Sequence, residues 1–261
     1  MLPYYYGGDS MITITTKKIG EIPVLELVES DKAENVLPLV FFYHGWTGCK
    51  EKVLTQGYEI ARRGFRVVLP DALYHGDRLV AGKASEHKLE FWKIIANSIK
   101  EFPQLLAYYH ETIGIEDEKI GVSGLSMGGI TTCALLRAYP QITAAVCLMG
   151  SPAPCSFAHG LLHAIPGIED IDPAYVEKQI KDLEVIDLSL NPQKIASRPV
   201  HFWHGTDDAT VPYAPTKKFF EQIKNHSYAE NVTFTTTKGG THKVSYETTV
   251  EMADKFAEYL A

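Results

Sequence analysis

Apolar and polar positions change period repeatedly along this chain, and the changes outline its elements. Ile12–Thr16 and Ile22–Val28 alternate as strands do, with Gly20-Glu21 between them as the turn of a hairpin. Leu37–Tyr43 is a continuous apolar run, the pattern of a strand covered on both faces. Lys52–Arg63 has helical spacing and stops at Gly64; Phe65–Leu69 is the next strand, cut by Pro70. A long amphipathic helix is predicted within His87–Thr112, kinked or divided at Pro103. Then follow strand Ile120–Ser123, helix Met127–Tyr139, strand Ala144–Met149, strand Val200–Trp203, helix Pro215–Lys224, strand Val232–Thr236 and helix Tyr246–Leu260. Repeated strand–helix–strand units predict an α/β domain with a mostly parallel central sheet and helices on both faces.

Ser151–Arg198 breaks the alternation and is too long for an ordinary connection. Its apolar residues (Phe157, Leu161, Leu162, Ile165, Ile168) follow no strand pattern, while Asp172 and Pro173 mark a helix start as N-cap and first residue. The segment is expected to form a small helical cap over the mouth of a site, the alternative being a surface excursion. Residues 1–261 therefore read as one domain with a cap insertion at about 151–198. Residues 1–10 read as a disordered tail or an appended segment, with Met11 available as a second start.

Composition narrows the function classes. The chain is 45% hydrophobic and 22% charged, as ordinary globular proteins are, and has a net charge of −7. With no basic cluster, neither nucleic acid nor an anionic membrane is an expected partner. No apolar stretch approaches the ~18 residues of a membrane span, and the N-terminus lacks the features of a secretory signal. Cys49, Cys133, Cys147 and Cys155 show no paired spacing, which suits reduced thiols in a cytoplasmic protein.

The chemistry concentrates at Gly124-Leu125-Ser126-Met127-Gly128, a Gly-x-Ser-x-Gly pattern placed after a strand and before a helix. A serine on such a corner is held in a strained backbone, and only neighbours lacking Cβ leave room for it. Its hydroxyl is a weak nucleophile and needs a base. His242, in a bend after Gly239-Gly240-Thr241, is the candidate base; Asp207 or Asp208 is the candidate acid that orients it. Two backbone amides are expected to form an oxyanion hole: that of Met127, at a helix N-terminus, and that of Trp46 after His44-Gly45, with Thr47 as the alternative. The other histidines read as structural, His201 and His204 as neighbours on one strand among them. His159 and His163 have helical metal-ligand spacing, but Gly160 stands where a zinc-protease motif needs glutamate, so no metal is expected.

Serine, acid, histidine is the chain order of α/β-hydrolase triads. The chain resembles that superfamily, and within it the YjfP/YitV-like bacterial carboxylesterases of the dienelactone-hydrolase and prolyl-oligopeptidase branch. The resemblance rests on Tyr43–Glu51 (YHGWTGCKE), Leu69–Arg78 (LPDALYHGDR) and the three triad motifs, and extends from about Ile22 onward. His204–Pro212 resembles the His-Gly-x-x-Asp-x-x-Val-Pro ending of the family, which selects Asp208 as the acid and leaves Asp207 to bond the turn backbone. Dienelactone hydrolases proper carry a cysteine nucleophile, so serine argues against that activity. The resemblance implies a cofactor-free serine esterase acting on small-molecule esters of short or medium acyl chains, through an acyl-enzyme. A peptidase or amidase of the same branch is the second reading, and a ligand-binding protein without turnover the third.

Overall fold

A computed structural model describes residues 11–162 and 172–261; the tail reading of residues 1–10 and the cap positions His163, Ile165 and Ile168 lie outside them. The strands are β1 (Ile12–Ile19), β2 (Ile22–Glu29), β3 (Leu37–Tyr43), β4 (Arg66–Pro70), β5 (Ile115–Leu125), β6 (Ala144–Leu148), β7 (Val200–Gly205) and β8 (Val232–Thr237). The helices are α1 (Leu54–Ala61), α2 (Phe91–Thr112), α3 (Met127–Ala138), α4 (Pro154–Leu162), α5 (Pro173–Asp182), α6 (Tyr213–Ile223) and α7 (Tyr246–Tyr259). One sheet holds all eight strands in the order β1-β2-β4-β3-β5-β6-β7-β8. The β1–β2 and β2–β4 pairs are antiparallel and every later pair is parallel. This is the mostly parallel α/β sheet that the alternation predicts.

Two apolar layers sandwich the sheet. On one face Phe41, Val68, Val122 and Phe202 pack with Ile95, Phe102 and Leu106 of α2, Ile130 and Ala134 of α3 and Phe219 of α6. On the other, Val40, Phe42, Val67 and Val146 pack with Ile60 of α1 and Met252 and Phe256 of α7. Covered from both sides, β3 buries all seven of its residues, which is why its sequence does not alternate. No helix among the described residues is long and apolar enough to cross a membrane.

Three predicted boundaries move for physical reasons. The long helix is not divided at Pro103: α2 runs through it, and the irregularity lies upstream, where non-helical His87 interrupts a 3₁₀ segment, Ala84–Glu90. Proline has no N–H for the carbonyl four residues back, that of Ile99. The Tyr139 hydroxyl donates to that oxygen instead, at 2.8 Å. Strand β5 starts at Ile115 rather than Ile120, its register against β3 shifting where Asp117 and Glu118 adopt positive φ. Helix α6 begins at Tyr213, so Pro215 falls in its first turn, where a missing N–H costs no helical bond.

Between β6 and β7 the described part of the insertion is helical. Asp172 caps α5, its Oδ1 accepting the Ala174 N–H at 2.9 Å. Buried Asp187 ties the segment together: its carboxylate accepts the amides of Cys155 at 3.0 Å and Ser189 at 2.9 Å.

Candidate active site

Ser126 stands between β5 and α3 with φ 57° and ψ −116°, a left-handed corner that an L-residue occupies only under constraint. The constraint is close packing. A Cβ on Gly124 would lie 2.5 Å from the Gly128 carbonyl carbon, and one on Gly128 would lie 2.0 Å from the Tyr43 carbonyl oxygen. Glycine at both positions lets the start of α3 lie against the end of β3. The Ser126 amide donates to Leu148 O at 3.0 Å and its carbonyl accepts from Ile130 N–H at 3.0 Å, which hold the corner at both ends.

Loops after β7 and β8 bring an acid and an imidazole to it. They are bonded to each other: Thr206 N–H donates to Thr237 O at 3.0 Å, Asp207 N–H to Gly240 O at 2.8 Å, and Gly239 N–H to Thr206 Oγ1 at 2.8 Å. His242 Nε2 lies 2.7 Å from Ser126 Oγ, and His242 Nδ1 lies 2.7 Å from Asp208 Oδ2. The carboxylate can only accept, so Nδ1 carries the ring proton and Nε2 faces the hydroxyl as an acceptor. The Asp208 side chain is wholly buried, whereas that of His242 remains 21% exposed. The other oxygen of Asp208, Oδ1, accepts the amides of Thr210 and Val211 at 2.9 Å each. The expectation that Asp207 bonds the turn backbone is therefore corrected: Asp208 accepts the turn amides, and among the described residues the Asp207 carboxylate meets only the Thr206 hydroxyl, at 2.7 Å. Asp207 lies in the turn that follows β7 and is exposed, whereas Asp208 is buried.

Sequence reasoning missed His204. Its Nε2 lies 3.2 Å from Asp208 Oδ2 and 2.9 Å from Val211 O, two acceptors, so it donates to both. Burial lowers the pKa of this imidazole, the bond to Val211 O and the charge of Asp208 opposing, and it sits neutral beside the acid. The His-Gly-x-x-Asp spacing was the available signal, since four residues bring a strand end back over its own turn.

The amides of Trp46 and Met127 have no hydrogen-bond partner among the described residues, whereas the Thr47 amide donates to His75 Nε2 at 3.2 Å. Thr47 is thus the less available of the two oxyanion donors weighed for that loop. The loop is anchored by Lys50, whose backbone N–H and ammonium both bond Asp71, at 2.9 and 2.7 Å, with Asp77 a further 2.7 Å partner of the ammonium. Burial pulls the Lys50 ammonium down, but Asp71, Asp77 and Glu51 more than offset this and hold it above the ordinary lysine value. Among the described residues no group of three or more histidine, cysteine or acidic side chains could hold a metal ion.

Residues 38–249 match the family model for the alpha/beta hydrolase fold. The chain belongs to the α/β-hydrolase fold family. YitV of Bacillus subtilis (strain 168), provisionally named an esterase, is 40% identical over 255 residues, covering 96% of this chain and all of the relative. Esterase YjfP of Escherichia coli (strain K12) is 26% identical over 250 residues with the same coverage. Among solved structures, TT1662 from Thermus thermophilus superposes with a TM-score of 0.77 at 19% identity, over 96% of this chain and 98% of that one. In this α/β-hydrolase the loops after β3, β4, β5, β7 and β8 all open at the carboxyl edge of the sheet, where parallel sheets gather their functional groups.

An aromatic row runs along that edge from the β3 loop to the insertion. Trp46 meets Phe91 edge-on at 5.5 Å, Phe91 meets Trp92 at 5.0 Å, and Trp92 meets Phe157 of α4 at 6.1 Å.

Proposed function

We propose that this protein is a serine carboxylesterase with Ser126 as nucleophile, His242 as general base and acid, and Asp208 as the residue that orients the imidazole. The observation that carries the reading is the continuous pair of 2.7 Å contacts from Ser126 Oγ through His242 to Asp208 Oδ2. His242 Nε2 takes the hydroxyl proton as Oγ attacks the ester carbonyl carbon. The tetrahedral oxyanion is received by the amides of Met127, at the positive end of α3, and Trp46. On collapse, His242 passes its proton to the departing alkoxide, leaving an acyl-serine. A water then repeats the sequence with His242 as base, releasing the carboxylic acid and restoring Ser126. Every proton and electron pair is handled by these groups, so the chemistry requires no cofactor.

The esterase names of the relatives support an ester over an amide as substrate. We read the insertion between β6 and β7 as a cap, because the aromatic row joins its helix α4 to the oxyanion loop. Such an apolar wall suits short or medium acyl groups.

The test is incubation with short p-nitrophenyl esters and, separately, with a fluorophosphonate probe. The expected results are a burst followed by turnover, and an adduct at Ser126 that is absent from Ser126→Ala. Labelling elsewhere, or full turnover by Ser126→Ala, would overturn the assignment. Faster cleavage of peptide anilides than of esters would replace the esterase with a peptidase.

A further inference from the structure

The loops after β3 and β4 exchange imidazole bonds reciprocally. His44, from the first loop, accepts the Ala72 amide of the second at Nε2, at 3.0 Å. His75, from the second, accepts the Thr47 amide of the first at Nε2, at 3.2 Å. Each ring uses Nδ1–H on a nearby carbonyl, His44 on Gly45 O and His75 on Leu73 O, both at 2.8 Å. Both rings are buried and lie 5.1 Å apart, and the Trp46 ring meets the His75 ring edge-on at 5.2 Å.

What His75 holds is strained. Thr47 has φ 58°, and the loop is cinched next to it by Gly48 N–H donating to Gly45 O at 2.9 Å. A left-handed threonine persists only where its surroundings compensate it. Here the compensation is the bond from its own amide to His75, joined by ring packing on the preceding tryptophan. The same bond occupies the Thr47 amide, whereas the neighbouring Trp46 amide has no partner among the described residues.

Resting on the esterase reading and on Trp46 as an oxyanion donor, we infer that His75 is a positioning residue for the oxyanion hole. It touches no reacting atom. It holds the peptide between Trp46 and Thr47 and packs on the Trp46 ring, and so fixes Trp46 from its carboxyl side. The adjoining Gly45–Trp46 peptide, pinned at Gly45 O by Gly48 N–H, carries the N–H donor that matters only when negative charge develops on the substrate.

Three substitutions separate this role from simple packing. His75→Gln places an amide oxygen near Nε2 and can still accept from Thr47. His75→Asn is one methylene shorter; it can still bond Leu73 O but does not reach Thr47. His75→Phe keeps a ring for Trp46 and makes neither bond. His75→Asn and His75→Phe should lower kcat about 10- to 100-fold with KM within about threefold, as expected for a group felt only in the transition state. His75→Gln should stay within about threefold of the parent. Equal activity of His75→Asn and His75→Gln, or a loss confined to KM, would overturn the inference. If the variants do not fold, amide exchange in the unsubstituted protein decides: Thr47 should be protected relative to unbonded loop amides, and an unprotected Thr47 sinks the idea. Ser126→Ala is the control, for if it remains active the esterase reading has failed rather than the role of His75.

Discussion

His204 Nε2 stands 3.2 Å from Asp208 Oδ2, the same oxygen that His242 Nδ1 meets at 2.7 Å. With two backbone amides on Oδ1, the buried carboxylate faces four donors and, among the described residues, no competing acceptor. Asparagine here would keep its oxygen on the amides and turn its NH₂ toward two imidazole N–H groups. His242 would then have to give up its Nδ1 proton and adopt the tautomer that cannot act as base. Asp208→Asn should therefore lower kcat by about 10⁴-fold, whereas Asp207→Asn, out on the turn, should change it by less than about threefold. Steady-state kinetics of the two variants decide, and the reverse order would reassign the acid.

The corner at Ser126 sets stability against activity. Ser126→Ala should abolish turnover and leave the fold intact, since the methyl group fits where the serine Cβ already sits. It should not relieve the strain, because alanine at φ 57° meets the same clash. Ser126→Gly removes the clash and also enlarges the freedom of the unfolded chain, two effects of about 1–3 and 0.5–1 kcal/mol in opposite directions. The expected net result is a glycine variant about 1 kcal/mol more stable than the alanine one, read from denaturant midpoints at equal m-value. A glycine variant no more stable than Ser126→Ala would mean that the corner stores no strain.

Two glycines give opposite expectations for one substitution. Gly128→Ala forces a Cβ to 2.0 Å from a strand carbonyl, where no side chain can swing aside, so α3 must move away from β3. A loss of about 3 kcal/mol or more, or failure to fold, is expected. Gly160, within α4, has nothing within 4 Å of its would-be Cβ. There alanine should stabilise by about 0.5–1 kcal/mol through helix propensity. Thermal melts of the two variants check both signs.

How much of this was legible depended on the range of the interactions. The Ser126 corner is written into five consecutive residues, and the buried run Leu37–Tyr43 into seven, so both could be read without a fold. Sequence order also placed an acid and a histidine on the loops that now bring Asp208 and His242 to Ser126. Other features arise between loops that only the folded sheet brings together. Thr47 and His75 lie 28 residues apart, Lys50 and Asp71 21 apart, and neither pairing leaves a periodic trace. Cys133 and Cys147 have no motif spacing, yet α3 and β6 set their sulfurs 3.6 Å apart in the core. Pro103 misled for the complementary reason, because the donor that serves Ile99 O comes from Tyr139, beyond the next strand.

Buried imidazoles should make stability fall steeply in mild acid. Burial pushes His44 down to about 4 from 6.5, against its bond to Gly45, and burial likewise lowers His75 and His204. Above pH 6.5 these rings are neutral in both states and their contribution is complete. As the pH drops below 6.5 the unfolded chain takes up protons that the folded one refuses, and stability declines until the folded ring itself titrates near 4. For His44 alone the loss is about 3 kcal/mol. His75 and His204 add in the same direction, while the carboxylates held low by ion pairs act mainly further into acid. His44→Gln can still accept the Ala72 amide but has no proton to gain. Urea midpoints between pH 7 and pH 4.5 should therefore fall less for this variant than for the parent. Parallel pH profiles for the two proteins would show that His44 is not the group that titrates.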